Sequence, residues 1–358
     1  MNGSLLTMPS IARPSGRQSG FSLIELMIAI TLGLVILAAL TSFFVQTSGN
    51  RTEMERNTRQ IENGRYAIDA MREDIGLAGF FADTSPLVTP TWVLNDVCPP
   101  DIASYGFSIA GGYSAPVPVR GYAAGAGAPA GCLQSLVPNS DVIGIRRFGT
   151  EALTPAEAAA VPTRWYLQNS QCTEDDPLIP LVIATGAGPF PLQRVACGGQ
   201  VARVWRMREQ IYYLRTCSTC DPVPDGVPTL WRAELGGDPA AGGAMRHSAL
   251  VEGIEMLRFD YGIDTDGDGM PNLWSRCDTS PAAPCDAAGW SNVTAVKVYV
   301  LSRTLEESRE WKDDKEYNMG LSGTIGPIGD KYKRHVYSAV IVLPNRTGSR
   351  EPRLAAAP

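Results

Sequence analysis

The chain lacks proline between Pro14 and Pro86, although its 358 residues include 27 prolines. Proline breaks the interior of a helix, so this gap permits one long helix. Prolines are frequent after Pro86, which indicates a loop-rich globular part. The sequence therefore predicts a long helix followed by a separate folded region.

Groups suited to catalysis are also scarce. Only His247 and His335 could act as imidazole bases near neutral pH, and neither lies in a nucleophile motif such as Gly-x-Ser-x-Gly. The tract from Gly121 to Gly131 lacks the Lys-Ser/Thr of a phosphate-binding loop, so we interpret it as an ordinary loop. The sequence predicts no enzyme.

An excess of basic residues is absent as well. The chain has 31 Lys and Arg residues against 37 Asp and Glu residues, a formal charge of −6. Residues 1–20 contain Arg13 and Arg17 and no acid, so their removal leaves 29 basic and 37 acidic residues, a charge of −8. This balance argues against nucleic-acid binding, which needs a basic face.

One long apolar run follows the basic leader. Residues 26–40 contain no charge, and Thr31 is their one clearly polar residue. A helix from Phe21 to Val45 would measure about 37 Å, enough to span a hydrocarbon core of about 30 Å. The basic leader predicts a cytoplasmic N-terminus, with the rest of the chain facing outward. Glu25 lies inside this run and needs a partner, because an unpaired carboxylate in lipid is costly.

The small residue that could mark a cleavage site, Gly20, lies before the apolar run. A secretory signal has its small-residue site after that run, and none is evident near residue 45. One interpretation is an uncleaved signal anchor in which Glu25 is incidental.

The run Gly20-Phe21-Ser22-Leu23-Ile24-Glu25 resembles the prepilin signature of type IV pilins and type II secretion pseudopilins. The resemblance implies that a prepilin peptidase cuts after Gly20 and methylates the new N-terminal Phe21. It also implies that Glu25 meets the N-terminal ammonium of a neighbouring subunit, a pairing that would let a buried charge be tolerated. Met8 is an alternative start.

Three C-terminal segments give a narrower resemblance to PilW-like minor pilins, and the first of them also resembles J-type minor pseudopilins. They are Leu250 to Gly262, Val296 to Arg303 and Tyr337 to Arg346, and the run from Arg59 to Ala67 is similar too. The resemblance covers about residues 20–80 and 250–346.

This resemblance implies a minor pilin that takes part in type IV pilus assembly, in a tip or priming complex. The implied partners are other minor and major pilins, the prepilin peptidase and a tip adhesin. The implied locations are the inner membrane and then the extracellular pilus. The alternatives are a J-type minor pseudopilin, and a membrane-anchored calcium-dependent binding protein that does not polymerise.

The fold class that the pattern predicts is α+β, a long N-terminal helix packed on an antiparallel sheet. Met54, Ile61, Ile68 and Ile75 recur every seven residues and predict an apolar stripe that packs on the globular domain. A free coiled coil is the alternative, but Asn57 and Gly64 at seam positions weaken it. Five strand-like runs follow: Asp141 to Phe148, Arg203 to Leu214, Glu255 to Ile263, Thr294 to Leu301 and Val336 to Leu343.

We divide the chain into four parts. They are a leader peptide at 1–20, an apolar helix of the membrane or fibre core at 21–45, an amphipathic helix at 46–82, and a loop-rich β-sheet domain at 83–358.

The eight cysteines predict disulfides in an exported protein, although eight cysteines allow 105 pairings. Pairing by order along the chain is one option: Cys98 with Cys132, Cys172 with Cys197, Cys217 with Cys220, and Cys277 with Cys285. The Cys217-x-x-Cys220 motif could instead serve redox or zinc chemistry, but it lacks a thioredoxin-like setting and a second cysteine pair.

The segment from Asp264 to Asn272 matches the first nine positions of a calcium loop. Asp264, Asp266 and Asp268 can converge on one Ca²⁺ ion, Met270 can offer its carbonyl, and Asn272 occupies the ninth position. Ser275 stands where an EF-hand has a bidentate Glu, so we expect weaker or altered coordination, completed by Asp278. The alternative is an acidic Gly-rich hairpin that binds nothing.

Overall fold

The computed structural model describes residues 20–81, 90–98, 105–108, 113–125, 131–175, 181–236, 245–278 and 284–347. The predicted leader lies outside these residues apart from Gly20. The chain divides into two compact units, one ending at Met54 and one beginning at Glu55.

The first unit is the N-terminal part of α1, a helix that runs from Leu23 to Gly76. By length and composition α1 is long and apolar enough to cross a membrane, and its apolar side chains in this unit are exposed. The hydroxyls of Thr31 and Thr41 donate to carbonyls one turn back, at Met27 and Leu37. An apolar environment requires such internal pairing of polar groups.

Among the residues that the structure describes, the second unit holds three short helices, a 3₁₀ turn and fifteen strands. The helices are α2 (Pro155–Ala159), α3 (Ala287–Ser291) and α4 (Pro344–Thr347), and the 3₁₀ turn is Gly320–Ser322. The strands are β1 (Thr91–Val93), β2 (Ser114–Pro116), β3 (Val119–Tyr122), β4 (Val142–Leu153), β5 (Trp165–Asn169), β6 (Leu181–Thr185), β7 (Val204–Arg215), β8 (Thr229–Leu235), β9 (Met245–Glu252), β10 (Ile254–Ile263), β11 (Leu273–Ser275), β12 (Val293–Arg303), β13 (Tyr317–Asn318), β14 (Thr324–Ile325) and β15 (Arg334–Val342).

These strands form two main sheets. A seven-stranded sheet has the order β3-β4-β7-β5-β6, with β8 pairing with both β7 and β9. A four-stranded sheet has the order β11-β10-β12-β15, and every pair in it is antiparallel. The predicted α+β class is confirmed, and the five predicted strands are β4, β7, β10, β12 and β15. The sequence predicted one sheet, whereas the described residues form two main sheets and two small two-stranded ones, β1-β2 and β13-β14.

The core lies between α1 and both sheets. Ile68, Met71 and Ile75 of α1 pack with alternate side chains of β10 and β12, among them Phe259 and Val298. The alternation is the one that the sequence showed, because successive strand residues point to opposite faces. The helix is therefore docked, which excludes the free coiled coil.

The seven-residue stripe is only partly correct. Ile68 and Ile75 are buried, but Met54 is 69% exposed and Ile61 is 43% exposed. A straight helix drifts by about 20° per heptad, so a strict seven-residue repeat does not stay on one face. The buried face instead includes Gly64, where an added Cβ would meet the ring of Tyr337.

Two boundaries also differ from the prediction. Helix α1 ends at Gly76 and not at residue 82, and Gly79 beyond it has φ 73° in the left-handed region that favours glycine. Gly121 and Tyr122 are the end of β3 and not a loop. Residues 126–130 of that tract lie outside the described residues.

Four disulfides link the eight cysteines. They join Cys98 to Cys132, Cys172 to Cys197, Cys217 to Cys220, and Cys277 to Cys285. These are the pairings by order along the chain. The Cys217-x-x-Cys220 motif is thus a disulfide, beside a turn in which Asp225 accepts hydrogen bonds from the amides of Ser218 and Thr219.

Candidate functional site

The N-terminal site is built at the start of α1. The backbone N–H of Ser22 donates to Oε2 of Glu25 at 3.0 Å, and Phe21 is exposed just before the helix. A Glu three residues after a Ser is half of a capping box, and a negative charge is favourable near a helix N-terminus. Sequence analysis missed this cap, although the Ser-x-x-Glu spacing signals it. Glu25 therefore has a hydrogen bond within its own chain.

A buried ion pair fixes the second half of α1. Nη2 of Arg147 lies 2.6 Å from Oδ1 of Asp74, and the hydroxyl of Tyr212 donates to Oδ2 of Asp74 at 2.6 Å. Burial and the negative charge of Asp74 raise the pKa of Tyr212, so this hydroxyl stays protonated and can donate. The helix is thus joined to β4 and β7 by charge as well as by apolar packing.

Two amides fix the same helix to the ends of strands. Nε2 of Gln60 donates to the carbonyls of Ser302 and Lys333, at 3.0 Å and 3.1 Å. Nδ2 of Asn63 donates to the carbonyl of Glu252 at 3.0 Å. These bonds satisfy backbone groups where β9 and β12 end and where β15 begins, so α1 is anchored to the ends of these strands.

A buried arginine organises the segment between β12 and β15. Arg334 contacts Asp330 at 2.6 Å, Asp313 at 2.9 Å and both carboxylate oxygens of Glu255. Hydrogen bonds to Asp330 and Glu255 outweigh burial and raise the pKa of Arg334. The hydroxyl of Tyr317 donates to Asp313 at 2.6 Å. The sequence did not indicate this cluster, because Glu255 and Asp313 lie 79 and 21 residues from Arg334.

The acidic loop joins β10 to β11. Asp264 is buried and accepts hydrogen bonds from the amides of Gly267 at 2.7 Å and Gly269 at 3.0 Å. One carboxylate oxygen each from Asp264, Asp266 and Asp268 lie within 4.8 Å of one another. Oxygen ligands at this spacing suit a hard cation such as Ca²⁺.

The other predicted ligands of the loop are placed differently. Oδ1 of Asn272 accepts from the amide and the hydroxyl of Thr265, both at 2.9 Å, so its side chain braces the loop. Met270 is exposed and donates its N–H to Asp268. Asp278 pairs with Arg276 at 3.5 Å. The structure thus brings together the three aspartates but gives the Asn272 side chain another partner.

Two family models match the chain. The prokaryotic N-terminal methylation motif matches residues 15–41, and the model of type IV pilus-assembly protein W (PilW) matches residues 211–345. Neither is a family of known enzymes. No curated protein matches the chain significantly.

Two solved structures are similar in part. One is a type IV-like pilin from Thermus thermophilus, with 13% identity over 80% of this chain and 97% of that chain, at a TM-score of 0.33. The other is the GspK-GspI-GspJ complex of the type 2 secretion system from enterotoxigenic Escherichia coli. Its identity is 12% over 78% of this chain and 96% of the matched chain, at a TM-score of 0.27. TM-scores this low do not establish a shared fold.

The two family matches fall on the elements that define the molecule. The methylation motif covers the start of α1 with Gly20, Phe21 and Glu25, and the PilW match runs from β7 through the four-stranded sheet to α4. Together with the exposed apolar N-terminal part of α1, these two matches support a PilW-like minor pilin of the type IV pilus.

Proposed function

We propose that this minor pilin acts at or near the tip of a type IV pilus, in a priming complex with other minor pilins. The observation that supports this proposal is that one chain has both a methylation motif at the exposed start of α1 and a sheet that matches the PilW model. Major pilins and a tip adhesin are the further partners we propose.

Processing begins in the inner membrane. The basic leader stays in the cytoplasm, α1 crosses the bilayer, and the sheet domain lies in the periplasm. Prepilin peptidase then cuts after Gly20 and methylates Phe21. The support is that both residues precede the helix and are exposed.

Assembly follows when Glu25 meets the N-terminal ammonium of a neighbouring subunit. A carboxylate buried in the fibre is costly unless it is paired, so this contact sets the register of the subunit. The hydrogen bond from Ser22 engages Oε2, and Oε1 remains for an incoming cation.

The processing step is tested by a Gly20→Val variant, with Gly33→Ala, inside α1, as the control. We expect Gly20→Val to remain an uncut precursor, whereas the control yields a mature N-terminus at Phe21. Intact-mass and N-terminal peptide mass spectrometry measure both. A Gly20→Val chain that still begins at Phe21 would refute the processing step.

Sheared pili decide between the three candidate roles. A pilus subunit should be recovered with other pilins by mass spectrometry of sheared fibres. A J-type pseudopilin should instead be encoded beside secretion genes and be missing from pili. A binding protein that never polymerises should remain in the membrane fraction under all conditions.

We also propose that the acidic loop binds Ca²⁺ through Asp264, Asp266 and Asp268, with the carbonyl of Met270. Two observations support this site. The three carboxylates converge within 4.8 Å, and the backbone amides of Gly267 and Gly269 hold Asp264 in place. Calcium should raise the melting temperature of the purified protein. The double change Asp264→Ala with Asp266→Ala should abolish this increase, while Asp278→Ala should weaken it less. An equal increase in all three proteins would contradict the site.

A further inference from the structure

Strand β15 is an open edge of the four-stranded sheet. It pairs with β12 on one side, and no strand of the described chain pairs with its other side. Edge strands are usually protected by charge, by proline or by a covering element. Residues 336–342 have neither charge nor proline, and Val340 and Val342 are 51% and 54% exposed.

The register shows which backbone groups face outward. The amide of Thr304 donates to the carbonyl of Lys333, and the amide of Leu343 donates to the carbonyl of Thr294. Hydrogen-bonded pairs alternate in an antiparallel ladder, so the odd-numbered residues of β15 pair with β12. The even-numbered residues Val336, Ser338, Val340 and Val342 therefore direct N–H and C=O groups away from the sheet.

A basic groove lies beside this edge, between β15 and α1. Its volume is 410 Å³, and its lining includes Ile61, Arg65, Trp311, Lys315, His335 and Tyr337. The Nζ atom of Lys315 lies 5.1 Å from the ring centroid of Trp311. None of the described residues that line the groove carries a carboxylate, although the whole chain has a formal charge of −6.

We propose that an extended segment of another pilin subunit adds to β15 as a fifth strand, with apolar side chains on one face and acidic side chains on the other. Side chains alternate along a strand. One set would lie beside the exposed Val340 and Val342, and the other would enter the groove beside Arg65 and Lys315. This inference rests on the proposed function, because it names the partner as a pilin.

The geometry favours this occupant over three others. An anionic lipid headgroup could pair with the cations but could not complete a row of backbone donors and acceptors. A partner helix satisfies its own backbone groups and would leave the edge open. A second copy of β15 would bring no carboxylate to the groove, because residues 335–342 contain none. Strand addition satisfies both the edge and the charge.

The test uses the full chain in cells that assemble pili, with a photo-crosslinking amino acid at position 338. Membrane and sheared-pilus fractions are both analysed by mass spectrometry. We expect crosslinks to an extended, acidic segment of another pilin. Val340→Pro should reduce them at least tenfold, because proline removes an outward N–H that β12 does not use. Val340→Thr, which keeps the N–H and the branched shape, should not.

Charge is tested separately by Arg65→Glu with Lys315→Glu, against Arg59→Glu outside the groove. We expect the first to lower crosslinking at least tenfold and the second to leave it unchanged. Val340→Lys serves as a second edge variant if Val340→Pro lowers the melting temperature. Equal crosslinking in all variants, or crosslinks only to lipid or to a second copy of this chain, would overturn the proposal.

Failure of the proposed function is distinguishable from failure of this inference. If the unchanged chain is missing from sheared pili, the pilus role fails. Crosslinks from position 338 to another prepilin in the membrane fraction would still support the edge site. If the unchanged chain enters pili but crosslinks to no pilin, the edge site alone fails.

Discussion

At the scale of single residues, Gly64 allows α1 to approach β15 closely. A Cβ at this position would overlap the ring of Tyr337, whereas a Cβ at Gly49 on the same helix would meet nothing within 4 Å. Glycine is costly in a helix interior, so its presence here reflects packing against β15.

Gly64→Ala should therefore destabilise the protein despite the better helix propensity of alanine. We expect a loss of about 1–3 kcal/mol in the free energy of unfolding, the usual cost of overpacking. Chemical denaturation of the purified chain in detergent, followed by tryptophan fluorescence, measures it.

Gly49→Ala is the control, and we expect no loss from it, because the residue is exposed. Adding Tyr337→Ala to Gly64→Ala should make the Gly64 change less costly than it is alone. A Gly64→Ala chain as stable as the unchanged protein would show that the ring moves aside freely.

At this scale, a motif within one short segment could be predicted from the sequence, whereas contacts between residues far apart in the chain could not. Gly20, Phe21 and Glu25 stand in one short run, so the sequence identified them together. Asp74 and its partners Arg147 and Tyr212 are separated by 73 and 138 residues, and only the fold brings them together. The same holds for Glu255, which lies 79 residues from its partner Arg334.

At the scale of elements, the five longest of the described strands were predicted and the shorter ones were missed. β10 and β12 alternate apolar and polar residues, which indicates a half-buried strand. β9 reads Met-Arg-His-Ser-Ala-Leu-Val-Glu, with little alternation, and most of its residues are exposed or half-buried. Its position as an edge strand explains the weak signal, because few of its side chains enter the core.

One strand also carries a buried carboxylate whose raised pKa makes the stability of the protein depend on pH. Glu209 in β7 is fully buried and pairs with Arg146 of β4 at 3.0 Å. Burial outweighs the attraction of Arg146 and raises the pKa of Glu209 from 4.5 to about 7. The folded chain then binds a proton more tightly than the unfolded chain does.

Stability from this group should be fully present below about pH 4.5 and should be lost as the pH rises through about 7. The full effect is about 3 kcal/mol at most, since one pKa unit corresponds to about 1.4 kcal/mol. Glu209→Gln should flatten the pH dependence of unfolding between these values.

Urea denaturation at several pH values between 4.5 and 8 measures this dependence. Glu151→Gln, at an exposed position of β4, is the control and should leave the slope unchanged. An unchanged slope in Glu209→Gln would assign the dependence to other groups, such as Asp141, whose pKa burial also raises.

At the scale of the whole molecule, the proposed role of Glu25 in fibre assembly makes a testable prediction. Glu25→Ala should still be cut after Gly20 but should fall at least tenfold in sheared pili, because the ammonium of its neighbour loses a partner. Quantitative mass spectrometry of membrane and pilus fractions measures this. Glu62→Ala, an exposed acid farther along α1, should be incorporated normally. Normal incorporation of Glu25→Ala would argue against Glu25 as the register of assembly.

The disulfides have a mechanical consequence for a fibre under tension. They join cysteines 34, 25, 3 and 8 residues apart, and the first cysteine is Cys98, beyond the end of α1. No disulfide therefore ties the helix to the sheets. When a pilus is pulled, the load between α1 and the sheets is carried by the Asp74–Arg147 pair, the amide of Gln60 and the apolar core. Reducing agents would lengthen the chain that can be pulled out of the sheets, but they would break no covalent link between α1 and the sheets.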